Sequence, residues 1–204
     1  MSFDHNHRAI TADSIILSKA KADRKYAELV ENLHDYIGIS DQTLGDWKDR
    51  PHLSEFVQDV RELTEDASGI ETRSVELGRR WDILHYLLSP TRRAGKASEG
   101  SCWIKTAVLG GDILGGEAFS SSGQPIRYID PVSILKISNS LSEIPTNTLI
   151  VNWDIGKMAE AGVETITGEE QLEDLAWAEV DLNNLKEFYW KVSTHDEGVM
   201  TFYL

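Results

Sequence analysis

Three residues at helical spacing carry the most legible chemistry in the chain: Asp82, His85 and Tyr86, at i, i+3 and i+4, with Arg79 and Arg80 a turn before them. On a helix these side chains are neighbours. A carboxylate beside an imidazole orients one ring nitrogen and leaves the other to move a proton, so the group is a candidate acid/base pair, with Arg79, Arg80 and Trp81 as candidate ligand contacts. Packing explains the same spacing. His85 falls on the face of Trp81, Leu84 and Leu88, where a core histidine is satisfied by a carboxylate or carbonyl, and no nucleophile is tied to the pair by sequence.

Other reactive groups are weaker. Gly110-Gly111-Asp112-Ile113-Leu114-Gly115-Gly116, followed by Ser120-Ser121-Ser122-Gly123, has the composition of a phosphate cradle. It lacks the Gly-Lys-Ser/Thr of a P-loop, and Asp112 and Glu117 repel an anion, so a helix cap followed by a mobile loop is expected. His5, His7 and Asp4 offer at most adventitious metal binding. Cys102 reads as a small buried residue, and no metal or cofactor is expected.

Eight acids and no base lie between Glu160 and Asp181. This is either a solvated helix face or a docking surface for a basic protein, with Glu169, Glu170, Glu173 and Asp174 at its centre. The whole chain of 204 residues carries a formal charge of −14, which argues against nucleic-acid and anionic-membrane partners. The excess is uneven. Residues 71–105 hold 4 acids and 7 bases, whereas 106–204 hold 16 acids and 5 bases. A lone cysteine and a leader without a basic-then-apolar pattern point to a reducing cytoplasm.

The elements that must position these groups follow from periodicity. Residues 1–10 read as a flexible N-terminus with a short extended piece at Arg8–Ile10, and 11–204 as one domain. Thr11 opens a helix over about 12–36; Gly38–His52 is a loop anchored by Trp47; a helix starting at Ser54 has Phe56, Val57, Val60 and Leu63 on one stripe. Thr72–Leu77 is a short strand, Arg79–Leu88 a central buried helix, and Thr91–Gly100 a basic loop. Asp130-Pro131 starts another helix, since Asp caps and proline needs no partner at the first position. Helices follow at 149–161, after a capping box at Thr167–Glu170, and after Asp181; Val199–Tyr203 is a closing strand. The sum is a helix-dominated α+β domain with a small, mostly antiparallel sheet.

The string Leu77–Leu88 (LGRRWDILHYLL), with Thr106–Gly110 (TAVLG) and Arg127–Ile144 (RYIDPVSILKISNSLSEI), resembles the YfbM-like family of bacterial proteins of unknown function over about residues 70–204. The resemblance implies a single-domain α+β fold, a bacterial or phage-related cytoplasmic origin, and Arg80, Trp81, Asp82 and His85 as shared residues. It implies no reaction. The expected function is therefore a binding protein of immunity or antitoxin type, neutralising a basic toxin or effector. The alternatives are an enzyme or small-ligand binder built on Asp82 and His85, or an anionic mimic of nucleic acid.

Overall fold

A computed structural model describes residues 4–47, 49–66, 73–89, 99–145, 147–163, 166 and 172–203. Its centre is an antiparallel five-stranded sheet of β1 (His5–Thr11), β2 (Ser74–Gly78), β3 (Asp112–Ile113), β4 (Arg127–Ile129) and β5 (Glu197–Tyr203), in the order β2-β1-β5-β4-β3. Of the stretch 1–10 expected to be flexible, residues 5–10 belong to an inner strand, which contains the extended piece expected at Arg8–Ile10. β1 is hydrogen-bonded on both sides, and its partners place His5 opposite Tyr203 and His7 opposite Thr201, which in turn faces Arg127.

Helices cover both faces of the sheet. On one face Ala9 and Val199 join the core formed with α5 (Trp81–Leu88), α6 (Glu99–Leu109), α7 (Pro131–Ser142), α8 (Thr148–Asn152), α9 (Ile155–Glu160) and α10 (Leu172–Ser193). On the other, Ile10, Met200 and Phe202 pack with α1 (Ile15–Ala22), α2 (Arg24–Val30), a 3-10 turn (Leu33–Tyr36) and α4 (Pro51–Asp66). Alternate residues of one strand therefore feed two separate cores. Burying each large apolar side chain contributes about 1.5–3 kcal/mol, and Phe56, Leu84, Phe202 and Tyr189 are all fully buried.

Several helices are shorter than the periodicity suggests, and an aspartate marks two of the breaks, a third falling at Glu31–Asn32 before the 3-10 turn. The run over 12–36 divides at Asp23, which adopts an extended backbone while its carboxylate accepts from the Lys25 amide and caps α2. Ser14, not Thr11, caps α1. Asp154 likewise divides the 149–161 run by capping α9 through the Lys157 amide. The expected loop at 38–52 contains α3 (Asp41–Asp46), capped by Ser40, with Trp47 only half-buried. α4 starts three residues early, at Pro51. In contrast, α10 runs unbroken through Asp181, which is a buried ion-pair partner and not a cap. Asp130 caps α7 as expected, accepting from the Ser133 amide at 3.0 Å. Of the expected loop Thr91–Gly100, Glu99 and Gly100 already belong to α6, and residues 91–98 lie outside the described residues, as do the capping box at 167–170 and the side chain of Cys102.

The glycine- and serine-rich segment is docked. The Glu117 amide donates to Lys21 O at 2.8 Å, and Ser120 and Ser122 donate to the Tyr203 carbonyl at 3.1 and 2.6 Å. Gly116, at φ +61°, allows this approach, because a Cβ there would stand 2.0 Å from Lys21 O. The segment clamps α1 to the end of β5 and offers its donors to the chain itself.

Candidate functional site

The N-terminal end of α5 ties two elements together. Arg80 Nε and Nη2 donate to the Asp181 carboxylate at 2.9 and 3.3 Å, and the guanidinium lies 5.5 Å from the centre of the Trp177 ring. Trp81 meets His5 and Tyr203 edge-on, at 6.0 and 5.6 Å between ring centres. Arg79 is exposed, with only a loose 3.8 Å approach to Asp4. Asp82, His85 and Tyr86 are 4%, 2% and 5% exposed, and Asp82 and His85 each have a partner within the fold. Burial of all three side chains leaves almost no solvent-facing surface at which a substrate would meet them.

A different pair of histidines holds the sheet's polar interior. His5 and His7, two apart on β1, point to the same face, with ring centres 4.6 Å apart and exposures of 0% and 1%. His7 Nδ1 lies 3.2 Å from the Tyr189 hydroxyl, which donates to the Ala107 carbonyl at 3.1 Å. A phenol has one proton. Tyr189 therefore accepts from His7, fixing the Nδ1–H tautomer and leaving Nε2 as a bare lone pair. His5 stacks on Tyr203 at 4.3 Å. Both of its ring nitrogens, His7 Nε2 and Thr201 Oγ1 have no hydrogen-bond partner among the described residues.

Burial sets the charge state of this row. Desolvation lowers His7 to about 3, against the opposing effect of the Val108 backbone. It also holds His5 well below the ordinary histidine range, helped by repulsion from His7 and Arg127. Burial raises the Tyr189 phenol, so all three groups are neutral at neutral pH.

Beyond Tyr203 the sheet opens into a cleft of about 530 Å³ between α6, the start of α7 and the β3–β4 edge. Trp103, Lys105, Arg127 and Tyr203 are among its lining residues. Arg127 Nη1 donates to Gly111 O at 3.0 Å, and Gly110, at φ +83°, packs over Thr201 where any Cβ would collide. Asp130 also lines the cleft, but its carboxylate is spent on α7. Burial alone would raise its pKa, and hydrogen bonds from the Ser133 hydroxyl and amide outweigh this and hold it below the usual range.

The acidic tract is only partly visible. Glu169 and Glu170 lie outside the described residues. Glu173 is exposed at the start of α10 and Asp174 is half-buried with a partner in the fold. The outward stripe of α10 continues with Trp177, Val180, Asn184, Glu187 and Lys191, where Trp177 and Val180 are 49% and 45% exposed and Trp190, beside Glu187, is 61% exposed. Glu187 and Lys191 pair at 2.7 Å.

The structure thus joins Arg80 and Trp81 to two different neighbourhoods, buries Asp82 and His85, and reveals a polar row that helical spacing misses. The His-x-His pattern is the signal for that row, and it becomes informative only once residues 5–11 are seen as a strand. Among the described residues, no helix is long and apolar enough to cross a membrane, and no three potential metal ligands converge.

Comparison with known proteins places the fold. The crystal structure of YfbM from Escherichia coli, a protein of unknown function, superposes with a TM-score of 0.58 at 15% identity, over 98% of this chain and 99% of that one. The likeness takes in the N-terminal segment, well beyond the part where the sequence resemblance is apparent. No curated protein matches the chain. A family model described as a domain of unknown function, DUF1877, matches residues 32–202, and the chain belongs to that family.

Proposed function

We propose that this is a cytoplasmic binding protein of immunity or antitoxin type, which docks a basic protein partner, a toxin or effector, on the outward face of α10. The observation that carries this reading is the exposure of Trp177, Val180 and Trp190 on a helix whose surface also bears Glu173 and Glu187. Exposed tryptophans are costly to leave in water and are enriched where partners bind most tightly. The Trp177 ring is also held in place: Arg80 lies over it, and Asp181 holds Arg80. Carboxylates around such an anchor steer a basic surface toward it and reject acidic competitors.

The test is affinity capture with the intact chain, the quadruple variant E169K/E170K/E173K/D174K, and Trp177→Ser. A basic protein that forms a stoichiometric complex with the wild type, and is lost from both variants, supports the reading. Recovery of no basic partner, or equal recovery with the variants, contradicts it.

A further inference from the structure

The cleft beside β4 lies apart from the α10 face, and its charges tell a separate story. In a protein of formal charge −14, Arg127 and Lys105 line this cleft without an ion-pair partner among the described residues, and a third cation, Lys136, stands 4.8 Å from the centre of the Trp103 ring. Arg127 is half-buried. Its bond to Gly111 O uses one of five N–H donors and fixes the fork, leaving donors for a planar acceptor. Of the two carboxylates present, Asp130 is committed to capping α7, and Asp112 is exposed at the edge.

We propose that this cleft binds a small organic monocarboxylate, with its carboxylate on Arg127 and Lys105 and its apolar body against Trp103 and Tyr203. The pieces match the usual composition of a ligand site: a concave space of about 530 Å³, aromatic walls, and a few placed polar groups. Asp112 sets the charge limit, because a second negative charge on the ligand would meet it. Behind the aromatic wall, the neutral His5 ring braces Tyr203 by stacking, so the wall adds no charge and keeps its position.

The experiment is an NMR titration of the intact protein with phenylacetate, phenylacetamide and phenyl phosphate, following the Trp103 indole N–H, assigned by its loss in Trp103→Phe. Phenylacetate is expected to shift that signal saturably and to bind about tenfold or more tightly than the neutral amide, as a charge-assisted fork requires. Phenyl phosphate is expected to bind more weakly than phenylacetate. Arg127→Met and Lys105→Met should each weaken phenylacetate binding; should Arg127→Met not fold, the exposed Lys105→Met decides. The proposal is overturned by absence of a saturable shift, by equal binding of acid and amide, by tighter binding of the phosphate, or by unchanged affinity in the lysine variant.

Discussion

His7 donates its Nδ1 proton to Tyr189, whose own proton goes to the Ala107 carbonyl, so a strand, a helix and a second helix are locked through one phenol. Removing that oxygen leaves a buried N–H and a buried carbonyl unsatisfied. Tyr189→Phe is expected to destabilise the fold by about 1–3 kcal/mol, read as a lower urea midpoint with an unchanged m-value. Nitrogen chemical shifts of His7 should report the Nδ1–H tautomer in the wild type and a mixture in the variant.

The buried histidines make the fold acid-sensitive. In the unfolded chain both protonate near pH 6.5; in the native state burial lowers them, His7 to about 3, so the unfolded state binds more protons as pH falls. Stability should therefore decrease on acidification below about pH 6.5, by up to roughly 1.4 kcal/mol per pH unit for each histidine. Glu31 and Glu197 oppose this over part of the range. Burial raises both, so the native state takes up their protons before the unfolded chain does. Urea denaturation at pH 7, 6 and 5 checks the sign. His7→Leu should flatten the slope, and a wild type equally stable at pH 5 and 7 would contradict the assigned charge states.

The Arg80–Asp181 pair should respond asymmetrically. Asp181 has only 5% of its side chain exposed, against 40% for Arg80. Arg80→Leu strands a buried carboxylate and is expected to cost about 2–3 kcal/mol, part of the charge being screened from the open side. Asp181→Asn keeps an acceptor and should cost about 1 kcal/mol. Equal effects in thermal denaturation would show that the pair is not held as described.

Two glycines separate backbone strain from collision. Gly123→Ala, at φ +80° with open space around its Cβ, should cost about 1 kcal/mol, whereas Gly116→Ala adds a clash with the Lys21 carbonyl and should cost at least twice that. Differential scanning calorimetry of the two variants distinguishes them.

The stripe of α4 was legible from spacing, since Phe56, Val57 and Val60 all lie in the core, but on α7 only Ile137 of the expected Val132, Leu135 and Ile137 is buried, the core face being Ile134, Ile137 and Leu141. The closing strand was legible, because Val199–Tyr203 is rich in strand-forming residues. β1 was not. Its sequence, HNHRAIT, buries histidines and an arginine between two helical layers, so neither polarity nor alternation marks it as central. Short-range capping hid the breaks at Asp23 and Asp154, since an aspartate inside an apolar-periodic run looks like a solvent-facing position. The polar row draws on residues 5–7, 107–108, 189 and 201–203, a grouping that only strand register creates.

The docking role of α10 is tested most directly by isothermal titration of the captured basic partner into the wild type and into Trp177→Ser, with circular dichroism confirming that both are folded. A buried tryptophan anchor predicts a loss of affinity of about thirtyfold or more, corresponding to at least about 2 kcal/mol. An affinity unchanged by removal of Trp177 would contradict the account.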